Sequence, residues 1–433
     1  YDLKGGNLYL NGSWASSIRH HNGKFYVAFC TPYGWGTEKG HFSVCEAEKP
    51  EGPWKRTVFP EYLYDPGLLF DDDGKVYVVH GQHKLYVTEL NADVRSVKGK
   101  PVEIWNKGVD DSRGSGKKAG MEGSHVYKIN GMYYITCPAG GTEGWQVCLR
   151  SKNIYGPYEH KVILQDDSSY PPNGLHQGGM VQLKNGDWWF VIMQDRGPIG
   201  RVPHLLPVKW VDGWPVLGVN GKDAITYRKP EVGKTYKVKT PATTDEFSGK
   251  KLGLQWQWNH NPDHTKWSLS ERPGHMRLKA SQASDLKSAR NTLTQRVQGP
   301  NSEGTVEIDL SGLKDGNVAG FGVFEFPYAY VAVQQEGDVR KVVMCNDGKI
   351  VETAVNNLTQ NKIWIKTRVT DKDFTARFYY SLDGVDFSPV GDVLKMGLGL
   401  PWTANRFALF NFTTREAGVD GIADFNWFRF NGK

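Results

Sequence analysis

Asp65 and Glu122 are the two carboxyls in this sequence best suited to chemistry. Each stands just ahead of an apolar strand-like run. Asp65 lies in YDPGLLFDDDGK, apart from the turn cluster Asp71, Asp72 and Asp73, which reads as solvent-facing. Glu122 lies in AGMEGSH, and His176 holds a similar place in GLHQGG. Arg201, in GPIGRVPH, could orient a carboxylate through a charge-assisted fork, and Trp14, in GSWASS, offers a flat stacking face. Two carboxyls converging in an aromatic pocket are what glycoside hydrolysis needs. One, its pKa raised, protonates the leaving oxygen; the other activates water or attacks the sugar. Taken singly, each residue has a plainer account: an Asp before Pro is commonly an exposed turn residue, a Glu beside Gly a solvated one, a His a structural one. What argues for a site is register, because Trp14, Asp65, Glu122 and His176 all precede the inner strand of successive repeats.

Those repeats are the elements that must position them. Four segments share one pattern: about eight residues, an Asn-Gly or Asp-Gly turn, then an aromatic-rich strand. They are ASSIRHHNGKFYVAF from Ala15, PGLLFDDDGKVYVVH from Pro66, GSHVYKINGMYYITC from Gly123 and GGMVQLKNGDWWFVI from Gly178. The turn glycines Gly23, Gly74, Gly131 and Gly186 are spaced by 51, 57 and 55 residues. Asn-Gly and Asp-Gly favour tight hairpins because both turn residues then take positive φ. A second element, EGPWKR from Glu51 and YGPYEH from Tyr155, follows two of the hairpins. A multi-strand repeat of this length predicts β-propeller blades, whose inner strands line a central channel. The period stops after Trp214. The stretch VNGKDAITYRKPEVGKTYKVKTPATT (219–244) is polar and reads as a linker or last outer strand. Beyond Asp245, short alternating strands such as GTVEIDL and WIKTRVT predict a β-sandwich. The expected organisation is all-β: a propeller over residues 1–225, a linker over 226–243 and a sandwich over 244–433.

Composition agrees. The 433 residues carry 53 Lys+Arg against 47 Asp+Glu, a net charge of +6, with 50 Gly, 22 Pro and 12% aromatic residues. This is globular composition; it excludes disorder, collagen and coiled coil. The positive charge is too dilute for a nucleic-acid partner, and no apolar run is long enough for a helix to span a membrane. The aromatic excess, 15 Trp, 20 Tyr and 19 Phe, suits flat hydroxylated ligands such as sugars. The five cysteines, Cys30, Cys45, Cys137, Cys148 and Cys345, show no metal spacing and read as small buried hydrophobes. Cys137 and Cys148 could pair if their strands are neighbours. The sequence opens at Tyr1 with no leader; removal of one would account for that, and a periplasmic or extracellular location is favoured over a cytoplasmic one.

With these motifs in view, the chain resembles glycoside hydrolase family 43, which includes β-xylosidases and α-L-arabinofuranosidases. The resemblance rests on YDPGLLFDDDGKVYVVHG, on EGSHVYKINGMYYI and above all on HQGGMVQLKNGDWWFVIMQDRGPIGRVPHLLPVKWVDGWPVLG. LGLQWQWNHNP, WSLSERPGHMRLKA and ADFNWFRF resemble the concanavalin-like sandwich of its β-xylosidase-type members. The resemblance implies a five-bladed propeller that inverts the anomeric centre with three acidic groups. It implies Glu122 as general acid, and Asp65 as the carboxylate that raises the acid's pKa and orients it. His176 matches a central histidine that contacts a water-coordinated calcium in some members. Arg201 matches an arginine beside the carboxylates, and Trp14 the aromatic wall of the sugar subsite. No cofactor is implied for the chemistry, and the partner is an oligosaccharide or polysaccharide.

The family's general base, an Asp of the first blade in a DPD- or DPS-like motif, has no counterpart. YDLKGGNLYLNGSWASS corresponds to the start of a second blade, and Asp2 sits in a different context. The expectation is that the base-bearing blade lies upstream of Tyr1; loss of the base would slow water attack by roughly 10²–10⁴-fold. A structural calcium in the sandwich is a further expectation, with Glu246 or Asp245 in DEFSG and Asp424 in ADFNWF as oxygen ligands. Three functions therefore compete. The first is an inverting, exo-acting glycosidase releasing xylose or arabinose from hemicellulose. The second is a catalytically impaired carbohydrate-binding relative. The third is a retaining fructan-type hydrolase, disfavoured because its RDP and Glu-Cys motifs are replaced by YDP and MEGSH.

Overall fold

The structure, a computed structural model, describes residues 9, 12–33, 39–111, 116, 118–224, 226–237, 239–398 and 402–432. It is almost entirely β and divides into two units. One holds Tyr9–Arg196 and Val202–Tyr236; the other holds Gly197–Arg201 and the chain from Lys237 onward. No helix among the described residues is long and apolar enough to cross a membrane.

Among the described residues, the first unit contains four antiparallel four-stranded meanders, each strand pairing with the next in sequence. Blade one is β1 (Trp14–His21), β2 (Lys24–Pro32), β3 (Gly40–Ala47) and β4 (Lys55–Phe59). Blade two is β5 (Gly67–Phe70), β6 (Val76–His80), β7 (Leu85–Leu90) and β8 (Val97–Trp105). A short ribbon, β9 (Val109–Asp110) and β10 (Lys118–Ala119), precedes blade three, which is β11 (His125–Ile129), β12 (Met132–Ala139), β13 (Trp145–Ser151) and β14 (Glu159–Leu164). Blade four is β15 (Leu175–Gln182), β16 (Trp188–Asp195), β17 (Arg201–Val211) and β18 (Trp214–Leu217).

Side chains alternate between faces along a strand, so a sheet sandwiched between two others must be apolar on both. That is why β6 reads as the unbroken run VYVV. Val76 and Val78 join the core shared with Tyr26, Ala28 and Val44 of blade one, while Tyr77 and Val79 join the core shared with Val126, Ile135 and Leu149 of blade three. A third core joins Tyr134 and Cys148 to Met180, Phe190 and Leu206. The outer faces of blades one and four carry the exposed Ile18, Val58, Val181 and Val191.

The four hairpin turns fall where the repeat predicts, but they are of two kinds. Asn22-Gly23 and Asn130-Gly131 both have positive φ at both residues. At Asp73-Gly74 and Asn185-Gly186 only the glycine does. There the loop is longer: Asp71 N–H donates to Lys75 O and Gly74 N–H to Asp71 O, with the equivalent pair at Leu183, Asp187 and Gly186. A type I turn followed by a left-handed glycine needs positive φ once only. Asp71 also differs from its reading as a solvent-facing turn residue. It is buried between blades and accepts bonds from Lys128 Nζ at 2.6 Å and Tyr133 OH at 2.5 Å. The cysteines are free thiols. Cys137 and Cys148 lie on adjacent strands, but Cys148 is opposite Thr136 and Cys137 opposite Val147, so the one-residue offset sends the two thiols to opposite faces.

The second unit is a sandwich of two eight-stranded sheets. Its central strands include Asn301–Gly312, Lys362–Thr370 and Ile422–Gly432 in one sheet, and Asn317–Phe324, Ala329–Glu336 and Arg406–Thr413 in the other. Lys362–Thr370 alternates buried and outward positions residue by residue, and its buried set meets Phe321, Phe407, Phe425 and Phe428 in the core. Each such phenylalanine contributes roughly 1.5–3 kcal/mol by leaving water.

Candidate active site

Segments at the start of the inner strands of all four blades line one cavity of about 130 Å³. Of the four residues that register marks, Asp65 is in that lining, while Trp14, Glu122 and His176 are near neighbours of lining residues in sequence. The lining includes Ser16 of blade one, Asp65, Gly123 and Ser124, which follow Glu122, and Gln177 of blade four.

Asp65 is buried and takes φ +49°, a conformation that aspartate tolerates better than most residues. This bend turns its carboxylate toward the next blade, where Oδ2 accepts a 3.0 Å bond from the Gly123 N–H. The segments come so close that a Cβ on Gly67 would overlap the Ser124 carbonyl. Glu122, half-buried, holds its Oε2 against two donors: Gln82 Nε2 at 2.7 Å and Tyr64 OH at 3.4 Å. Burial pushes the Tyr64 phenol far above its usual pKa, and the nearby Asp65 and Glu122 add to the shift, so the hydroxyl stays a donor. Trp14 meets Tyr64 edge-on at 6.3 Å, and Tyr62 packs against Tyr64 at 6.2 Å. Burial first, and then the Asp65 charge, push the Cys30 thiol up to about 12, so it carries no charge in the site.

A β-bulge between His176 and Gly178 inserts Gln177, at φ +58°. Gln177 and Gly178 line the cavity, while the buried His176 ring lies 3.0 Å from Gly174 O through Nδ1 and 3.5 Å from Asp195 Oδ2 through Nε2. His125, also in the lining, is held neutral: burial, helped by Arg19, lowers its pKa to about 3. Arg19 reaches across to Val126 O at 2.8 Å and lies 5.0 Å from the Tyr127 ring centre.

Arg201 belongs to the sandwich unit, where its guanidinium lies 5.1 Å from the Trp402 ring centre. Glu246 and Asp424 do not fit a calcium site. Asp424 is clamped by Arg277, with bonds of 2.8 and 2.9 Å to its two oxygens, and by Arg272 at 2.8 Å. Glu246 faces Arg429 at 3.4 Å. Guanidinium groups occupy the positions a cation would need, and among the described residues no three His, Cys, Asp or Glu side chains gather as a ligand set. Asp245 is spent on the Phe247 N–H at 2.8 Å and the Trp256 indole at 2.8 Å. Asp2 lies outside the described residues.

The structure thus brings together Asp65 and Glu122, with Trp14 joined to them through Tyr64. Tyr64, Gln82 and Gln177 escaped the sequence reading. Tyr64 is signalled only by standing next to Asp65, and Gln82 lies in a loop (GQHK) without a motif.

Residues 2–215 match the model of glycosyl hydrolases family 43, and residues 244–431 match that of the beta xylosidase C-terminal concanavalin A-like domain. A beta-xylosidase of Formosa agariphila is 31% identical over 98% of this chain and 79% of its own length. A non-reducing end alpha-L-arabinofuranosidase of Bacteroides ovatus is 35% identical over 64% of this chain and 54% of its own. Among solved structures, a bifunctional GH43-CE protein of Bacteroides eggerthii superposes with a TM-score of 0.86 at 36% identity, over 99% of this chain and 55% of that one. The GH43 protein BlXynB of Bacillus licheniformis gives 0.84 at 27% identity, over 99% and 88%. Matches running through both units have one common source: the chain belongs to glycosyl hydrolases family 43 and is a glycoside hydrolase.

Proposed function

We propose that the chain releases terminal xylose or arabinose from hemicellulose with inversion, using Glu122 as general acid and Asp65 as the carboxylate that orients it and raises its pKa. The observation that carries the reading is the bond from Gly123 N–H to Asp65 Oδ2, which anchors one carboxylate to the backbone beside the other. Glu122 protonates the glycosidic oxygen as the bond to the anomeric carbon breaks, beside the carboxylate of Asp65. Trp14 and Tyr64 form an aromatic wall for the sugar ring. His176 is proposed as a further substrate-side residue. The third carboxylate, which activates the attacking water, is left unassigned. The names of the relatives, a beta-xylosidase and a non-reducing end alpha-L-arabinofuranosidase, support terminal action and both sugars.

Hydrolysis of nitrophenyl β-xyloside and α-L-arabinofuranoside tests this directly. Turnover with inversion, seen by proton NMR of the first-formed anomer, and a loss of roughly 10²-fold or more in Glu122→Gln are expected. Retention, or full activity in Glu122→Gln, overturns the assignment. Sugar binding with no turnover of either glycoside would instead support the impaired relative.

A further inference from the structure

The turn Gly81–Lys84 is tied to both segments that carry the carboxylates. Gly81 N–H donates to Tyr64 O at 2.8 Å, directly before Asp65, and His83 N–H donates to Met121 O at 3.0 Å, directly before Glu122. Between these anchors the chain reverses within three residues: Lys84 N–H donates to Gln82 O at 2.7 Å, with His83 at φ +64°. A turn of this kind at a residue other than glycine is rare and strained. Neighbouring positions are shaped around it. Gly81 has φ +121°, and a Cβ on Gly120 would stand 2.8 Å from His83 Cα. The one side chain this turn sends to the carboxylates is Gln82, whose Nε2 lies 2.7 Å from Glu122 Oε2.

We propose that Gln82 is a positioning residue for proton transfer, held in place by the strained turn. This rests on the reading of Glu122 as general acid. Both donors, Gln82 and Tyr64, bond the same oxygen, Oε2. The transferable proton is therefore carried on Oε1, and the face of the carboxyl that meets the leaving group is set. When Glu122 gives up its proton, the O–H bond at Oε1 breaks and the new bond forms to the glycosidic oxygen. The negative charge left on the carboxylate is met at Oε2 by an amide donor already in place. An amide donor at this oxygen favours the ionised form over the protonated one.

Gln82 is exposed, so its substitution should leave folding intact, which thermal unfolding checks. The central experiment is the carboxyl pKa of Glu122, followed by NMR in protein with ¹³C-carboxyl-labelled glutamate and identified by loss of its signal in Glu122→Gln. The pKa is expected to rise by about half a unit or more in Gln82→Met and further in Gln82→Glu, where a like charge replaces the donor. An unchanged pKa in both overturns the proposal, whether or not the protein turns over. With activity, Gln82→Met should slow an unactivated xylobioside about tenfold or more and a dinitrophenyl glycoside little, since a good leaving group needs no proton. Equal slowing of both also overturns it. Glu122→Gln on the same two substrates separates the readings. If it too slows both equally, the acid assignment has failed; if it alone shows the leaving-group dependence, only the role of Gln82 has.

Discussion

The carboxylate of Asp65 accepts a 3.0 Å hydrogen bond from the backbone N–H of Gly123, the residue that follows Glu122. The link runs from one blade to the next and ties the Asp65 carboxylate to the backbone beside Glu122, whose own carboxylate is held by the side chains of Gln82 and Tyr64.

In Asp65→Asn the side chain keeps its size and loses its charge. In the proposed role that charge favours the protonated acid, so without it the alkaline limb of the pH–activity profile should move down. Activity at neutral pH should drop roughly 10²-fold or more. Profiles of kcat/KM for both proteins check this; an alkaline limb that stays put or moves up removes Asp65 from the proposed role.

Gly67→Ala should be destabilising by about 1–3 kcal/mol, because the added methyl meets the Ser124 carbonyl, part of a backbone that cannot rotate away. The same displacement separates Asp65 from Gly123, so activity should fall further than the population of folded protein does. Urea unfolding and kinetics on one preparation test this, and equal losses in the two would count against it.

Asp71 ties blade two to blade three and contributes stability that depends on pH. Burial raises its pKa, but the bonds from Lys128, Tyr133 and the Asp72 N–H outweigh that and hold it below the usual carboxylate range. A folded-state pKa below the unfolded one means the stabilisation is present above about pH 4, the unfolded value, and fades as pH falls through the folded value. Asp71→Asn should cost about 1–3 kcal/mol at pH 7 and less at pH 3. Denaturant titrations at the two pH values decide it; an equal cost at both would exclude the charge as the cause.

At Asp424 two arginines stand where a calcium would have to sit. Addition of calcium, or of EDTA, should therefore leave the unfolding temperature of the sandwich transition unchanged. Asp424→Asn should lower it with or without calcium, since the bidentate bond to Arg277 is weakened. A calcium-dependent rise that disappears in Asp424→Asn would restore the metal site.

Much of this protein was legible in its sequence because the signals are local. Hairpins need particular turn residues, so glycines about fifty residues apart mark the blades. A sheet buried on both faces needs runs such as VYVV, and a sandwich strand buried on one face needs the alternation of WIKTRVT. The same period marked Asp65 and Glu122, since both stand just ahead of inner strands.

What the tertiary structure decided lies between blades and depends on register and close approach. Whether Cys137 and Cys148 could meet turned on a one-residue offset across β12 and β13. Asp71, which looked like a solvent-facing turn acid, is buried because Lys128 and Tyr133 of the next blade reach it. A single bulge at Gln177 exchanged which of two neighbours lines the cavity. Gln82, forty residues from Glu122, becomes its partner only because a strained turn is bonded to two other segments at once. Short-range patterning therefore determined the blades and the sandwich, and singled out the two carboxylates proposed for the chemistry. Which donors hold those carboxylates, and which charges cancel, was settled only by folding, because those contacts join residues whose sequence separation carries no pattern.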